Sequence, residues 1–437
     1  SYAEVVNRVS PAVVTIRTKS RVQAPRQYPF MDDPFFRRFF CDQLPRQPEQ
    51  RRRGLGSGVI VSGDGYILTN AHVIDGAEEI VVELTGQRNL PAKLVGSDPP
   101  SDLALLKIEA GGLSALALAD SDKVQVGDVV LAIGNPLGVG QTVTMGIISA
   151  KSRRTGLSNG SFEDFLQTDA PINRGNSGGA LVDGNGNLVG INSQILSSSG
   201  GSIGIGFAIP SNMARDVLDQ LVKHGKVSRG HLGIVVQLVS QDIATNLGLS
   251  SAKGVIVSQV QTGSAADRAG MQRGDVILAL NGNAVSEPNT FRNDIAGKPP
   301  GRTITLRIWR GGNEEELRAT LGEFEPVEPP QTKEEDSPES RNNTGRLGLA
   351  LQPLTPTLTQ ELGLSADTQG LVVMAIDPSG PAADAGIQRG DVIEEVNQQP
   401  VRTVAELREL VQRSGFTPLL LLVNQRGTTV FVTMKAR

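Results

Sequence analysis

The sequence predicts a mainly β protein divided into about three domains. A chain of 437 residues is too long for one ordinary hydrophobic core. Short strand-like segments separated by Gly, Asn and Asp turns fill its first half, and the second half contains two copies of one sequence unit. A content of 50 glycines with only 4% aromatic residues is typical of turn-rich, strand-rich proteins. Regular short strands of this kind favour a sandwich or a barrel.

The first half, up to about residue 226, contains most of these strand-like segments. Its turns are marked by strings such as Gly63-Asp64-Gly65 between apolar runs. One amphipathic helix is predicted after the strands, with Ser211 as its N-cap and Gly225 as its C-terminal cap. The apolar stripe of this helix consists of Ala214, Val217, Leu218, Leu221 and Val222.

The second half of the chain repeats itself. The string Leu232-Gly233-Ile234 recurs as Leu347-Gly348-Leu349, and residues 269–277 (AGMQRGDVI) recur as residues 385–393 (AGIQRGDVI). Between the copies, residues 323–340 contain seven acidic residues and one lysine, while the whole chain has a net charge of −4. Because an acidic, Pro-rich stretch cannot build a core, we expect residues 323–343 to be an extended linker.

Composition argues against several classes of protein. The slightly negative net charge is unfavourable for nucleic acid as a partner. The single cysteine, Cys41, cannot form a disulfide within the chain. The longest apolar run, Leu419–Val423, is far shorter than the roughly 20 residues that span a bilayer, so membrane contact is not predicted. Because the chain starts at Ser1 without a methionine, we expect a processed product.

Three short strings supply the residue types that activate a serine. They are Thr69-Asn70-Ala71-His72-Val73, Ser101-Asp102-Leu103-Ala104-Leu105-Leu106 and Gly175-Asn176-Ser177-Gly178-Gly179. A hydroxyl is a weak nucleophile at neutral pH, so it needs an adjacent base and a group that orients the base. The order His, Asp, Ser is that of chymotrypsin-type triads. The sequence therefore predicts a serine endopeptidase with His72, Asp102 and Ser177 as catalytic residues.

Asp102 immediately precedes the apolar run of residues 103–108. A carboxylate at the edge of such a strand is desolvated enough to hold the tautomer of an imidazole. Taken alone, Asp102 would be interpreted as a turn residue after Pro99-Pro100.

The glycines around Ser177 predict an oxyanion hole. Glycine permits a tight turn that points amide N–H groups into one small space, and acyl transfer needs such a space for the developing negative charge. We assign this hole to Gly175, Asn176 and Ser177, with the amides of Gly175 and Ser177 as the donors.

No metal and no cofactor are predicted. The chain has three scattered histidines, His72, His224 and His231, and no His-Glu-x-x-His string. His224 lies at the end of the predicted helix, where a cation is favoured, so its expected role is structural.

In these motifs the chain resembles the HtrA family of serine proteases, of the DegP and DegQ type with two PDZ domains. The specific strings are Leu55-Gly56-Ser57-Gly58, residues 168–179 (TDAPINRGNSGG) and residues 206–210 (GFAIP). Together with both repeats, they extend the resemblance over nearly the whole chain. By this resemblance His72 is the general base, Asp102 its orienting group and Ser177 the nucleophile.

The resemblance implies a chymotrypsin-like domain of two six-stranded β-barrels with the triad in the cleft between them. The implied domains are residues 1–228 for the protease, 229–322 for the first PDZ domain, 323–343 for the linker and 344–437 for the second PDZ domain.

The specificity pocket of a chymotrypsin-type protease is lined by the segment before the serine and by a later strand. The residues expected there are Pro171, Ile172, Ile205, Phe207 and Ile209. Since these segments contain no carboxylate to pair with Lys or Arg, we expect cleavage after small or medium aliphatic residues.

Each repeat carries a string that resembles the carboxylate-binding loop of a PDZ domain. The two strings are His231-Leu232-Gly233-Ile234 and Arg346-Leu347-Gly348-Leu349. PDZ domains add a peptide as an extra strand and bind its C-terminal carboxylate with backbone amides. Two interpretations stay open, capture of substrate or activator C-termini and a role in assembly.

Two further segments are expected to regulate the enzyme. Residues 20–53 form a long Pro- and Arg-rich tract with phenylalanines that include Phe36 and Phe39, and these pack either locally or against another subunit. The tract resembles a DegP-type loop that reaches a neighbouring trimer, although it has one cysteine where DegP has a pair, so DegQ-like behaviour is nearer. By resemblance, Arg153 or Arg154 of a second loop, Lys151 to Phe165, reports the state of the first PDZ domain.

The resemblance implies an ATP-independent protease that degrades unfolded or misfolded proteins in the bacterial periplasm, with its signal peptide removed. Family members are homo-oligomers, trimers that can join into larger cages. Two other functions stay open, a chaperone cage with secondary proteolysis and a protease that processes one preferred target.

Overall fold

The computed structural model describes residues 1–21, 51–86, 88–135, 140–155, 162–173, 175–197, 201–324, 347–414 and 418–435. Phe36, Phe39, Cys41, Arg346 and the linker residues 325–343 lie outside these ranges. The chain divides into two compact units, Ser1–Val227 and Ser228–Arg437.

The first unit starts with helix α1 (Ala3–Val9), a 3₁₀ turn (Ser10–Ala12) and a closed β-barrel. Among the described residues, six antiparallel strands form this barrel in the order β1-β2-β3-β6-β5-β4. The strands are β1 (Val13–Arg21), β2 (Arg51–Ile60), β3 (Tyr66–Thr69), β4 (Glu79–Leu84), β5 (Arg88–Asp98) and β6 (Leu103–Ile108). Closure of the sheet leaves no unpaired edge.

A second closed barrel follows, with the strand order β10-β11-β12-β9-β8-β7 in the described ranges. Its strands are β7 (Val129–Gly134), β8 (Thr142–Arg153), β9 (Phe165–Thr168), β10 (Ala180–Asp183), β11 (Leu188–Ile195) and β12 (Gly206–Pro210). The connections include helix α2 (Ala71–Ile74) and 3₁₀ turns at Pro99–Ser101 and Ser121–Lys123.

Helix α3 (Ser211–His224) packs on the first barrel. Gly96 of β5 permits this contact, because a Cβ atom there would lie 2.5 Å from the carbonyl oxygen of Gly225. As predicted, the helix ends at Gly225, which has a left-handed backbone and donates its N–H to Leu221 O. The start differs from the prediction, since the Ser211 hydroxyl donates to Ala119 O and Pro210 occupies the N-cap.

The second unit contains two sheets of one topology. In the first repeat the order is β14-β15-β16-β18-β19, with β17 paired to β16 and a small sheet of β13 and β20. Its strands are β13 (Gly230–His231), β14 (Ile234–Leu238), β15 (Val255–Val260), β16 (Val276–Leu280), β17 (Asn283–Ala284), β18 (Thr303–Arg310), β19 (Asn313–Thr320) and β20 (Gly322–Glu323). Its helices are α4 (Gln241–Asn246), α5 (Ala265–Arg268) and α6 (Pro288–Ala296).

The second repeat has the order β21-β22-β23-β25-β26, with β24 paired to β23. Its strands are β21 (Leu349–Pro353), β22 (Leu371–Ile376), β23 (Val392–Val396), β24 (Gln399–Pro400), β25 (Leu419–Gln425) and β26 (Thr428–Met434). Its helices are α7 (Pro356–Glu361), α8 (Pro381–Asp384) and α9 (Val404–Ser414). The strands β14 and β21 are edge strands in equivalent positions.

The predicted fold class is confirmed, a mainly β chain in which a double barrel precedes two repeats. Within the described ranges, no helix is both long enough and apolar enough to cross a bilayer.

Candidate active site and peptide-binding loops

His72 is positioned by the end of a strand and one helical turn. Asn70 follows β3 with extended backbone, and helix α2 begins at Ala71. The Ala71 N–H and the Asn70 Nδ2 both donate to the carbonyl oxygen of Asp102, at 3.1 and 3.0 Å. The backbones beside His72 and Asp102 are therefore tied together, and the imidazole stays about half exposed at 51%.

Asp102 lies between the 3₁₀ turn Pro99–Ser101 and strand β6. Its backbone is left-handed, with φ 56° and ψ 39°. Aspartate tolerates this conformation better than most residues with a Cβ atom. Asp102 is thus both the turn residue and the residue beside the imidazole.

Three donors surround the Asp102 carboxylate. His72 Nδ1 lies 2.9 Å from each carboxylate oxygen, and the His72 N–H donates to Oδ1 at 3.0 Å. The Ser193 hydroxyl of β11 donates to Oδ2 at 2.8 Å. Because a carboxylate only accepts hydrogen bonds, the proton of the neutral imidazole is on Nδ1 and the lone pair is on Nε2. This is the tautomer that a general base requires.

Ser177 shares one cleft of about 890 Å³ with His72 and Asp102. The first barrel contributes His72 and Asp102 to the lining, and the second barrel contributes Ile172, Ser177 and Ser193. In the part of the chain that the structure describes, the Ser177 hydroxyl makes no hydrogen bond to the imidazole. Such contacts are often long before a substrate binds.

The glycine-rich loop around Ser177 forms the expected tight turn. Gly175 and Gly178 have φ values of 99° and 81°, and a Cβ atom at Gly178 would lie 2.2 Å from the carbonyl oxygen of Ser57. Along the described residues, the amides of Gly175 and Ser177 donate to no protein acceptor. The assignment of Asn176 needs a correction, because its N–H donates to Asn173 O at 2.9 Å and is unavailable to an oxyanion.

Ser57 of β2 holds this loop from the first barrel, a role that the sequence analysis missed. The Ser57 hydroxyl donates to Gly175 O at 2.6 Å and accepts from the Asn135 N–H at 2.9 Å. The Ser57 N–H donates to Ser177 O at 2.8 Å. The side chain is completely buried. The only signal in the sequence was its place in the string 55–58.

The five residues expected in the specificity pocket have different locations. Ile172 lines the cleft and Pro171 is exposed. Phe207 and Ile209 belong to the hydrophobic core of the first unit, Ile205 packs against that core, and none of the three lines the cleft. The reason is that Phe207 packs on the ring of Phe165, with centroids 5.7 Å apart, and Ile209 pairs with Ile191 in the barrel. Among the residues that follow the first barrel, the apolar lining comes instead from Ile172, Phe162, Phe165 and Ile195.

Besides Asp102, two carboxylates line the cleft, Asp75 and Glu163, both outside the two segments that were expected to form the pocket. Glu163 is only 3% exposed. It accepts hydrogen bonds from the Thr155 N–H and hydroxyl, at 2.6 and 3.1 Å. Its charge is therefore partly satisfied by the protein's own loop.

The described ends of the loop Lys151 to Phe165 are fixed beside the cleft. Gln194 Nε2 donates to Thr155 Oγ1 at 3.0 Å, and the Phe162 N–H donates to Pro100 O at 2.6 Å. Arg153 and Arg154 directly precede Thr155, are exposed and do not line the cleft.

In the first repeat, the loop His231–Ile234 presents free backbone amides. The carbonyl oxygens of Leu232 and Gly233 accept from the N–H groups of Ala266 and Gln261, both at 2.9 Å. The amides of Leu232 and Gly233 have no acceptor in the described ranges. Successive free amides of this kind form a concave site for an anion.

The geometry of this loop requires Gly233. Its φ is 79°, and a Cβ atom there would lie 2.2 Å from Ser264 Cβ. His231 is half-buried with its ring 5.7 Å from that of Phe324, and burial lowers the pKa of the imidazole below its usual value. His231 is therefore mostly neutral at neutral pH and adds no positive charge to this loop.

The second repeat has the same loop with a different neighbour. Leu347 and Gly348 accept from the N–H groups of Ala382 and Asp377, at 3.3 and 2.9 Å. Leu349 starts the edge strand β21. Asp377 therefore occupies the place that Gln261 has in the first repeat. Hydrogen bonds from Ser379 lower the pKa of the Asp377 carboxyl, so this loop has a negative charge beside it.

Comparison with known proteins identifies the three domains. The model of a trypsin-like peptidase domain matches residues 56–191, and models of PDZ domains match residues 230–321 and 372–425. The expected chymotrypsin-like domain followed by two PDZ domains is confirmed. The first and second repeats are the first and second PDZ domains.

Two relatives match this chain over most of both sequences. A protein of Chlamydia trachomatis serovar D, named "Probable periplasmic serine endoprotease DegP-like", is 42% identical over 94% of this chain and 80% of its own. A protein of the same name from Brucella suis biovar 1 is 39% identical over 99% of this chain and 89% of its own.

Two solved protease structures are similar to this chain in both sequence and fold. The HtrA-type protease AlgW with a decapeptide has a TM-score of 0.62 and 47% identity, covering 75% of this chain and all of its own. A serine endoprotease from Yersinia pestis has a TM-score of 0.52 and 39% identity, covering 74% and 98%. The chain is a member of the HtrA family of serine proteases, a periplasmic serine endopeptidase of the DegP-like type.

Proposed function

We propose that this enzyme degrades unfolded or misfolded proteins of the cell envelope without ATP, through an acyl-enzyme formed on Ser177. The observation that carries the catalytic proposal is the contact between His72 and Asp102. The Asp102 carboxylate accepts from His72 Nδ1, from the His72 N–H and from the Ser193 hydroxyl, in the cleft that also contains Ser177. The broad substrate class is supported by the apolar cleft and by two peptide-binding domains on one chain.

The reaction follows from the tautomer of His72. The Ser177 Oγ attacks the carbonyl carbon of the substrate while His72 Nε2 takes the hydroxyl proton. The resulting oxyanion accepts from the amides of Gly175 and Ser177. His72 then gives its proton to the leaving amine, which produces the acyl-enzyme. Water, deprotonated by the same Nε2, attacks the ester and releases the new carboxylic acid and Ser177.

The variant Ser177→Ala tests this mechanism. We expect it to lose labelling by a fluorophosphonate and to lower casein hydrolysis by roughly 10⁶-fold, to background, because the acyl-enzyme cannot form. The wild-type chain denatured in urea is the labelling control. Labelling of Ser177→Ala at the wild-type rate would place the nucleophile elsewhere. A wild-type chain that suppresses casein aggregation but neither labels nor cleaves would favour the alternative function, a chaperone cage.

A second prediction concerns the donor from the second barrel. We expect Ser193→Ala to lower kcat for a peptide substrate by about tenfold, since a lost hydrogen bond to a carboxylate is worth about 1.5 kcal/mol. The KM should change little, because the hydroxyl is bonded to Asp102. Ser193→Thr, which keeps a hydroxyl, is the matched control and should retain most of kcat. Equal losses in both variants would show that the contact serves packing alone.

We propose that the enzyme cleaves after small or medium aliphatic residues such as Val, Ala or Ile. Ile172 supports this preference, because it lines the cleft and lies 3.0 Å from the position of a Cβ atom at Gly206. Glu163 is buried and bonded to Thr155, so an arginine side chain would have to displace those bonds to pair with it.

The preference is measurable with matched peptides that differ only at the residue before the cleaved bond. We expect kcat/KM to be at least about tenfold higher for Val than for Arg, because an unpaired cation is costly to bury. Comparable values for the two peptides would contradict the proposed pocket. Removing the buried carboxylate with Glu163→Gln should leave the order of the two substrates unchanged.

We propose that the first PDZ domain binds the C-terminal carboxylate of substrates or activators. The free amides of Leu232 and Gly233 and the adjacent edge strand β14 support this function. We propose weaker binding for the second PDZ domain, since the negative charge of Asp377 is unfavourable to a peptide carboxylate beside Gly348.

A peptide with and without its terminal charge distinguishes these interactions. In the full chain with Ser177→Ala, we expect a fluorescein-labelled decapeptide ending in free Phe to bind at least about tenfold tighter than its C-terminal amide. Fluorescence anisotropy measures both affinities. Equal affinities would show that the loop does not recognise a carboxylate, which would favour the alternative role of the repeats in assembly.

We further propose a homo-oligomer, a trimer that can join into larger cages, with residues 20–53 and Arg153 or Arg154 in regulation. Support for this comes from the resemblance stated above and from the exposure of both arginines beside Thr155, which is bonded to the cleft residue Gln194. Native mass measurement with and without denatured casein distinguishes trimers from cages.

A further inference from the structure

Strand β25 of the second PDZ domain is apolar on both faces. Side chains of a strand alternate between the faces of its sheet. Leu419, Leu421 and Val423 belong to the core of the second PDZ domain. Leu420 and Leu422 point to the opposite face, yet they are 1% and 0% exposed. A strand with this pattern is covered on both sides.

The equivalent strand of the first PDZ domain has a mixed second face, on which Thr305 and Arg307 are polar and Trp309 packs against the cluster of Leu420 and Leu422. In β18, Ile304, Leu306 and Ile308 are buried in its own core, whereas Arg307 is exposed. The strand pairings align Arg307 with Leu422, since each is opposite corresponding residues on its two neighbouring strands. Arg307 is opposite Ala279 of β16 and Glu316 of β19. Leu422 is opposite Glu395 of β23 and Phe431 of β26.

The second face of the second PDZ domain has Asn424 where the first has Trp309, and it differs in the opposite sense at three further pairs. The pairs are Thr305 and Leu420, Arg307 and Leu422, and Glu316 and Phe431. In each pair the first PDZ domain has a polar residue and the second has a buried apolar one. This difference within one fold indicates a specific partner for the second face.

That partner is the first PDZ domain. Leu420, Leu422 and Phe431 form one hydrophobic cluster with buried residues of its sheet and of helix α4. The members from the first PDZ domain are Val239, Ile243, Ala244, Ile256 and Val276.

Polar contacts give this packing a defined register. Gln237 Nε2 donates to Phe431 O at 2.8 Å, and the Phe431 N–H donates to Gln237 Oε1 at 2.7 Å. The Thr429 hydroxyl donates to Ser258 O at 2.6 Å. Arg273 pairs with Glu394 and Glu395, at 2.7 and 3.0 Å.

Gln237 belongs to β14, the edge strand beside the carboxylate-binding loop of the first PDZ domain. Its amide group satisfies both backbone groups of Phe431, so one residue of β14 is fixed to strand β26. The equivalent residue of the second PDZ domain, Gln352, is exposed. The contact is therefore a feature of the first domain's peptide-binding edge alone.

We propose that the second PDZ domain acts as a support for the first, holding β14 in the conformation that adds a peptide strand. Gln237 is the positioning residue in this contact, and Leu420, Leu422 and Phe431 provide the apolar surface. The inference rests on the proposed function of the loop His231–Ile234. It explains why a domain with a poor carboxylate site of its own keeps two apolar faces.

The test replaces the supporting surface by the residues that the first PDZ domain has at the same positions. The triple variant Leu420→Thr, Leu422→Arg, Phe431→Glu leaves Leu419, Leu421 and Val423 intact, so the second PDZ domain keeps its own core. The full chain with Ser177→Ala is used throughout to prevent self-cleavage. The single variant Gln237→Ala removes only the positioning contact, and Gln352→Ala is its matched control.

Two quantities are measured, amide hydrogen exchange of residues 234–238 and the affinity of the decapeptide ending in free Phe. We expect the triple variant and Gln237→Ala to exchange faster in β14 and to bind the peptide at least about fivefold more weakly, the lower range of coupling between sites. Gln352→Ala should match the parent chain in both. Protection of the β22 amides from exchange in the triple variant shows that the second PDZ domain is still folded. If it is unfolded, the test of the inference is the result for Gln237→Ala alone.

Unchanged peptide affinity in Gln237→Ala and in a folded triple variant would overturn the inference. If the parent chain itself does not bind the peptide, the proposed function of the loop fails instead. The amide exchange rates of β14 then test the supporting role without the peptide. Equal rates in the parent chain and the variants would overturn that role as well.

Discussion

The hydrogen bonds to the Asp102 carboxylate join the two barrels of the protease domain at the point of catalysis. His72 donates to it from the first barrel and Ser193 from the second. The carboxylate that orients the imidazole is therefore itself held by both barrels, so the position of Nε2 depends on how the two barrels pack. Ser57 makes the reverse connection, since it bonds from the first barrel to Gly175 and Ser177 of the second. Asp102 and the loop of Ser177 thus each accept a hydrogen bond from the barrel that does not contain them.

The sequence predicted those features whose chemistry is local. The strings around His72, Asp102 and Ser177 predicted the triad residues because together they supply a base, its orienting group and a nucleophile in the chymotrypsin order. Gly225 was predictable as a helix end because glycine readily adopts the left-handed backbone that lets its N–H bond to a carbonyl of the last turn. Asn176 was assigned wrongly to the oxyanion hole. Its N–H donates to Asn173 O, a contact that depends on the exact turn and is not visible in the sequence.

Features that depend on distant segments were not predictable from the string of residues. Ser193 has no motif around it and becomes significant only because β11 passes beside Asp102. Phe207 was expected in the pocket, but the ring of Phe165 on a neighbouring strand places it in the core. The run Leu419–Val423 was noted only for its length. Its alternate leucines have meaning because residues of the first PDZ domain, far earlier in the chain, cover them.

The two PDZ domains show how one fold is adapted to two tasks by few substitutions. Their sheets, their Gly-Asp-Val-Ile strings and their buried aspartates correspond, yet Asp275 pairs with Arg310 while Asp391 accepts from Gln425. At the carboxylate loop the first domain has a neutral residue, Gln261, where the second has Asp377. On the outer face, Thr305, Arg307 and Glu316 of the first domain align with apolar residues of the second, while Trp309 of the first aligns with Asn424. The second domain thus combines an anion site that Asp377 disfavours with a buried apolar face. Both features are explained if the first domain binds the peptide and the second domain supports the first.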